Sequence, residues 1–175
     1  MRIFIGIALP PNIKNHCANA QQQLKESGIS GLYPSFNNFH LTLLYIGECT
    51  HAQTEAIIEA IATIECEPFA IDLNQIDFFV KKKATIAYLQ VSKSKQLLAL
   101  RKQIVDLIKT TELKIEIPSF TPHITLAKNF RLKEQPSTIF ALKNQTMLVD
   151  QIQLFESKRI ANHLVYESIA TVDLI

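Results

Sequence analysis

Apolar positions near the start of the chain follow first a strand period and then a helix period. Residues 2–8 are almost all apolar, which predicts a buried strand. After two consecutive prolines, apolar residues recur at helical spacing, so we expect a helix that ends at Gly28. The turn-rich segment 31–38 predicts a connector, and the apolar, β-branched segment 39–46 predicts a second strand.

The remainder of the chain predicts similar elements in a similar order. Thr50, with Gln53 three residues later, forms a capping box that begins a second helix, and apolar residues at helical spacing between 97 and 108 predict a third. Strands are predicted over 69–73, 76–80, 85–91, 123–127, 147–155 and 164–172, with a turn at Lys81–Lys83 and a loop at 129–135. Because most strands follow one another through short turns, we expect an α+β fold with antiparallel sheets.

Composition places the chain among globular domains. Of its 175 residues, 47% are hydrophobic and 19% are charged, which is too apolar for a disordered chain. No apolar run reaches the roughly 18–20 residues of a membrane span, and a net charge of +2 excludes nucleic-acid binding by bulk charge alone. We therefore expect one monomeric domain over 1–175 without a membrane partner. The three cysteines lack metal-ligand spacing and predict free thiols in a reducing cytoplasm.

Two short apolar segments carry the same four-residue pattern. The first reads His40-Leu41-Thr42-Leu43 and the second reads His123-Ile124-Thr125-Leu126, and each follows a predicted helix and a proline-bearing connector. A single histidine in an apolar strand is usually a hydrogen-bonded core residue. The repetition makes this pair candidate functional residues, and it indicates an internal duplication with one motif in each of two lobes.

Strand geometry gives the pattern a physical meaning. Side chains alternate across a strand, so His40 and Thr42 share one face while the neighbouring leucines anchor the other face in the core. The same alternation pairs His123 with Thr125. If the two lobes face each other across a cleft, two imidazoles and two hydroxyls converge on one point.

Such a convergence suits a phosphate diester. The pKa of histidine is near 6.5, so one imidazole can take a proton from water while the other gives a proton to the departing oxygen. The threonine hydroxyls can hydrogen-bond the phosphate oxygens and steady the charge that develops there. This chemistry requires no metal and no cofactor, and it predicts a bell-shaped pH–rate profile around neutrality.

The other basic side chains fit this chemistry less well. His16 lies in the middle of a predicted helix and is expected to be exposed, and neither His51 nor His163 repeats the motif. Lys128 closely follows the second motif, where a cation would neutralise phosphate. Ideal alternation places it on the face opposite His123, however, so it reaches the cleft only if the strand ends or bulges.

These segments together resemble the two-histidine (2H) phosphoesterases, specifically the bacterial RNA 2′,3′-cyclic phosphodiesterases, also called 2′-5′ RNA ligases. Residues 1–10 (MRIFIGIALP) resemble the opening strand of that family, and 34–48 (PSFNNFHLTLLYIGE) and 120–128 (FTPHITLAK) resemble its two His-x-Thr segments. Where the family often has tryptophan, Tyr33 and Tyr88 are the nearest substitutes. The resemblance implies a duplicated, two-lobed α+β domain, with antiparallel sheets flanking a central cleft and helices outside.

The resemblance also implies an activity, namely metal-independent hydrolysis of a terminal 2′,3′-cyclic phosphate on RNA to a 2′-phosphate. His40 would protonate the 3′ leaving oxygen and His123 would activate water, while Thr42 and Thr125 would hold the phosphate. Two alternatives stay open. One is an enzyme that acts on 2′-5′ linked oligonucleotides or small nucleotide cyclic phosphates, and the other is a non-catalytic protein that binds RNA ends.

Overall fold

The computed structural model describes residues 1–81, 84–132 and 142–175, and it confirms the α+β class. The helices are α1 (Pro11–Ser27), α2 (His51–Ile61) and α3 (Lys95–Thr110), and a short 3₁₀ turn covers Phe36–Asn38. The strands are β1 (Arg2–Ala8), β2 (Gly28–Leu32), β3 (His40–Glu48), β4 (Phe69–Lys81), β5 (Ala84–Val91), β6 (His123–Leu132), β7 (Gln145–Val149), β8 (Gln151–Ile160) and β9 (His163–Asp173).

These strands form two antiparallel sheets. The first sheet has the order β3-β1-β8-β9, and the second has the order β2-β6-β5-β4-β7. The first sheet therefore joins strands from the beginning of the chain to strands from its end. The two motif strands, β3 and β6, lie in different sheets, but neither sheet is built from one half of the chain.

One predicted strand is in fact two. The sequence predicts a single strand over 147–155, whereas β7 ends at Val149 and β8 begins at Gln151 in the other sheet. Asp150 is the crossing point, and its carbonyl accepts a hydrogen bond from the Leu174 backbone N–H at 2.7 Å. Both strands are partly buried, so apolar residues continue past Asp150 although the chain changes sheets there. The sequence pattern therefore does not show the division.

Parts of two segments that the sequence predicts as connectors belong to strands in the structure. The connector predicted over 31–38 overlaps β2, and the loop predicted over 129–135 begins with the last residues of β6. β2 and the end of β6 pair with each other, so long-range hydrogen bonds make strands of segments that are locally polar or turn-rich. The remainder of that predicted loop, from 133 onward, and Lys82–Lys83 of the predicted turn lie outside the described residues.

Helices α1 and α3 bury the apolar faces that their sequence periods predict, whereas α2 buries Ile57 and Ile61 but leaves Ala56, which was predicted on the same face, exposed. Thr50 and Gln53 form the predicted capping box at the start of α2. None of the helices in the described part of the chain combines the length and apolar content needed to cross a membrane. All three cysteines are free thiols. The buried apolar residues of α1 are Ile13, Cys17, Ala20 and Leu24, and those of α3 are Leu97, Leu100, Ile104, Val105 and Ile108.

Candidate active site

The structure brings the two motifs together. His40 is the first residue of β3 and His123 is the first residue of β6, and these strands approach each other although they belong to different sheets. Burial follows the predicted alternation, because the apolar residue after each histidine is fully buried while both histidines and both motif threonines are half-buried. We call the space that these two strand faces border the cleft.

Both imidazoles are held in the same way. His40 Nδ1 lies 2.7 Å from the carbonyl oxygen of Asn38, and His123 Nδ1 lies 2.7 Å from the carbonyl oxygen of Thr121. A carbonyl only accepts, so Nδ1 carries the proton and donates it in both bonds. Each neutral ring therefore keeps the lone pair of its Nε2 atom available, which is the tautomer that a general base needs.

The two Nε2 atoms differ in their surroundings. His40 Nε2 lies 2.9 Å from Thr42 Oγ1, so the hydroxyl can donate to the neutral ring and accept from the protonated one. Within the described residues, His123 Nε2 and the Thr125 hydroxyl make no hydrogen bond with another protein group. The second motif therefore presents a free acceptor and a free hydroxyl to the cleft.

Asn38 fixes the segment that orients His40, and sequence reasoning did not identify it. Its side chain is buried, donates to the Leu164 carbonyl at 2.8 Å and accepts from the Tyr166 backbone N–H at 3.4 Å. These bonds tie β9 to the 3₁₀ turn that precedes the motif. The Tyr166 ring also meets the His40 ring edge-on, at 4.9 Å between centroids. No local signal separates Asn38 from an ordinary turn residue.

Aromatic side chains wall both histidines. The Phe4 ring lies 4.8 Å from His40, and the rings of Phe79 and Tyr88 lie 5.0 Å and 5.4 Å from His123. The Tyr88 hydroxyl is already engaged, since it donates to Asp77 Oδ2 at 3.0 Å. The apolar walls remove water from the imidazoles, which disfavours their charged form.

Burial is accordingly the main cause of lowered pKa values at both rings. The pKa of His40 is lowered to about 4 by burial first and by the positive charges of Lys128 and of protonated His123, while the bond to Asn38 opposes the shift. Burial followed by the charge of Lys128 also lowers the pKa of His123. The two histidines and Lys128 thus share one electrostatic environment, and both rings are neutral at pH 7 in the free protein.

A β-bulge in β6 brings Lys128 to the cleft. Neighbouring residues of β5 pair with Thr125 and Ala127, so Leu126 is an extra residue with no partner on that strand. Leu126 and Ala127 are both fully buried and Lys128 is exposed, which means that the alternation is inverted after the bulge. The sequence analysis predicted that Lys128 reaches the cleft only if the strand ends or bulges. The bulge at Leu126 meets that condition.

The first motif has a bulge at the equivalent position. Adjacent residues of β1 pair with Thr42 and Leu44, so Leu43 is the unpaired residue, and Leu43 and Leu44 are both buried. The next residue, Tyr45, is 52% exposed and pairs with Phe4, whose ring contacts His40. Tyr45 therefore occupies, beside the first motif, the position that Lys128 occupies beside the second.

Gly6 lies in β1 opposite Thr42, where a side chain has no room. A Cβ atom at Gly6 would lie 2.8 Å from the backbone oxygen of Leu41. We expect Gly6→Ala to lower the free energy of unfolding by about 1–3 kcal/mol and to displace the first motif, because backbone must move to accept the methyl group. Urea unfolding measures the first effect and turnover the second.

Gly31→Ala is the matched control for that substitution. For a Cβ atom at Gly31, the three nearest atoms would be side-chain atoms of Tyr33 and Phe130 at 3.1–3.3 Å, which can move more easily than backbone, so a smaller loss of stability is expected. Equal losses for the two alanine variants would contradict the argument from the Leu41 carbonyl.

The remaining histidines lie apart from this arrangement. His51 and His163 are exposed. His16 was predicted to be exposed and is instead half-buried, with its Nε2 enclosed and without a hydrogen-bond partner among the described residues. In the described ranges, no three His, Cys, Asp or Glu side chains are grouped so that they could hold a metal ion.

Comparison with known proteins places this arrangement in context. Residues 10–160 match the family model described as the 2′-5′ RNA ligase superfamily. The RNA 2′,3′-cyclic phosphodiesterase of Methanocaldococcus jannaschii is 25% identical over 175 residues, covering 97% of this chain and 98% of that protein. A crystal structure of a phosphoesterase matches with a TM-score of 0.83, 20% identity and coverage of 99% and 97%. E. coli LigT complexed with 3′-AMP matches with a TM-score of 0.78, 21% identity and coverage of 99% and 96%.

Proposed function

This chain belongs to the 2′-5′ RNA ligase superfamily, and from that membership we propose that it is a phosphodiesterase that hydrolyses a terminal 2′,3′-cyclic phosphate on RNA to a 2′-phosphate. The observation that carries the proposal is the common orientation of the two motif histidines. Each ring is held through Nδ1 by a backbone carbonyl and keeps Nε2 for chemistry, and the two rings influence each other electrostatically.

We assign one proton transfer to each histidine. His123 Nε2 takes a proton from water as the water oxygen forms a bond to phosphorus, and its freedom from other hydrogen bonds supports this role. The bond between phosphorus and the 3′ oxygen breaks, and protonated His40 gives that oxygen its proton. Because His40 is neutral in the free protein at pH 7, it takes up this proton as the anionic phosphate binds.

The remaining polar groups act on the phosphate oxygens. We propose that the hydroxyls of Thr42 and Thr125 donate to the two non-bridging oxygens and hold the phosphorus in line with the attacking water. The ammonium group of Lys128 would reduce the negative charge that develops on them. We further propose that 1–175 act as one domain, with the two sheets as lobes that each supply one motif, and that these side chains suffice without a metal ion.

A substrate panel tests the proposed function. The unmodified protein is incubated in the presence of EDTA with one substrate at a time. The substrates are an RNA ending in 2′,3′-cyclic phosphate, a 2′-5′ linked oligonucleotide and a mononucleotide 2′,3′-cyclic phosphate. We expect the RNA to react and to yield a 2′-phosphate. Faster reaction of either other substrate would favour the alternative enzyme. Binding of the RNA end without turnover would favour a non-catalytic protein, and a 3′-phosphate product would overturn the proposed roles.

The pH dependence follows from the lowered pKa values. His123 must be neutral and His40 must be protonated, so kcat/KM follows the product of these two fractions, which rises with pH up to the lower of the two pKa values and falls above the higher one. Since both pKa values lie below 6.5 in the free protein, we expect a bell with its maximum below pH 6.5, on the acid side of the neutral optimum that unperturbed histidines predict. Initial rates at low substrate concentration measure this profile.

A charge-removing variant checks the same explanation. The charge of Lys128 lowers both histidine pKa values, so Lys128→Met is expected to move the maximum of kcat/KM to higher pH. The exposed Lys102, which pairs with Asp106 on α3, provides the control substitution, Lys102→Met, and should leave the profile unchanged. A maximum at or above pH 7 in the unmodified protein would contradict the assigned protonation states.

A further inference from the structure

The unpaired residue of each motif bulge has its backbone oxygen hydrogen-bonded by a helix side chain. Gln21 of α1 donates from Nε2 to the carbonyl of Leu126, the bulge residue of β6, at 3.1 Å. Arg101 of α3 donates from Nε to the carbonyl of Leu43, the bulge residue of β3, at 3.3 Å. Both bulges leave a residue out of strand pairing, and these two side chains supply a hydrogen bond to the backbone of that residue.

Each of these side chains makes a second bond, and this bond goes to the segment that leads into the other motif. Gln21 Nε2 also donates to the Pro34 carbonyl at 3.0 Å, in the connector before His40. Arg101 Nη2 also donates to the Pro118 carbonyl at 2.9 Å, in the connector before His123. The Gln21 amide and the Arg101 guanidinium therefore each link one motif to the connector that precedes the other motif.

The two spanning groups are built to hold a fixed geometry. Gln21 is only 7% exposed, and both of its carbonyl partners accept from the same amide nitrogen. The Arg101 guanidinium is planar, and it lies 4.6 Å from the centre of the Phe120 ring, three residues before His123. If one motif moved away from the other, the Gln21 amide and the Arg101 guanidinium would each lose one of their two hydrogen bonds. Each group therefore couples the position of one motif to that of the other.

We propose that Gln21 and Arg101 are paired positioning residues, which set the separation of the two imidazoles and keep the bulge that turns Lys128 into the cleft. This inference rests on the function proposed above and deepens it, since both side chains act through other groups and not on the substrate. A role in stability alone would leave phosphate binding and the chemical step unchanged in the folded variants.

Inorganic phosphate is the probe for the Gln21 half of the inference. Its dissociation constant is measured by calorimetry for the unmodified protein, Gln21→Met, Lys128→Met and the double variant. Methionine keeps the length of glutamine and removes both donors. We expect each single substitution to weaken phosphate binding by about tenfold, and the double variant to be weaker than either by less than about twofold, because both changes remove the same cation from the site.

The neighbouring residue supplies the control. Gln22 is exposed on α1 and bonds only Glu26 among the described residues, so Gln22→Met should bind phosphate as the unmodified protein does. Losses that multiply in the double variant, or a Gln21→Met protein with unchanged phosphate affinity, would overturn the assignment of Gln21.

Arg101 is tested through kcat, which also serves if Gln21→Met does not fold. Arg101→Met is expected to lower kcat by about 10- to 100-fold with KM changed less than about twofold, because a displaced acid or base impairs proton transfer more than binding. Arg101→Lys keeps a cationic donor on a single nitrogen and should recover part of kcat, and Lys102→Met should behave as the unmodified protein. A lowered melting temperature with unchanged kcat at 25 °C would overturn the assignment of Arg101.

The two proposals fail in different ways. If the unmodified protein turns over none of the panel but binds phosphate with the expected non-additivity, the proposed function falls and the positioning role at a phosphate site stands. If the RNA is hydrolysed but the phosphate losses multiply and kcat of Arg101→Met is unchanged, the function stands and the positioning role falls.

Discussion

Alanine in place of either His40 or His123 is expected to reduce turnover of an RNA ending in 2′,3′-cyclic phosphate by at least about a hundredfold. Each histidine carries one proton transfer, and no other described imidazole makes a hydrogen bond or ring contact with either of them. Single-turnover rates with saturating protein measure the effect on the chemical step. The double variant should lose little more than the worse single variant, because an acid and a base that act in one step are strongly non-additive.

His163→Ala provides the matched control for these two substitutions. His163 is exposed at the start of β9, so its loss removes an imidazole without touching the cleft. Turnover by His40→Ala or His123→Ala at the rate of this control would remove the basis for two-histidine catalysis. The position of the phosphate in the product should be the same for every variant that retains activity.

Valine in place of Thr42 or Thr125 is expected to lower kcat by about a hundredfold, which is the usual effect of removing one donor to a developing oxyanion. Valine keeps the shape and strand preference of threonine, so the loss reports the hydroxyl and not the packing. The Thr42 hydroxyl also lies 2.9 Å from His40 Nε2. Thr42→Val should therefore additionally shift the limb of the pH profile that belongs to His40, whereas Thr125→Val should not.

Serine and a distant threonine separate these explanations. Thr42→Ser and Thr125→Ser keep the hydroxyl and should retain most of kcat. Thr146→Val, at an exposed position of β7 whose hydroxyl donates to Asp72 Oδ1, should leave kcat unchanged. If kcat falls equally in the serine and valine variants, the hydroxyl groups are not the phosphate donors.

Much of the fold could be predicted from local patterns. The alternation of burial around His40 and His123 and the start of α2 at its capping box follow from side-chain direction and hydrogen bonds within a few residues. Predictions were wrong where pairing between distant segments decides the structure. β2 and the end of β6 stabilise each other as strands, and the strand predicted over 147–155 is divided because its two parts pair with different sheets.

The candidate site shows the same division. The sequence by itself determined which side chains share a strand face, because alternation is a property of the backbone of each strand. Tertiary structure alone decided that the two motif faces meet, that bulges at Leu43 and Leu126 invert the alternation beyond them, and that Gln21 and Arg101 span between the motifs. These features depend on strand register and on hydrogen bonds between residues far apart in the chain. The local periodicity of apolar residues carries no information about either.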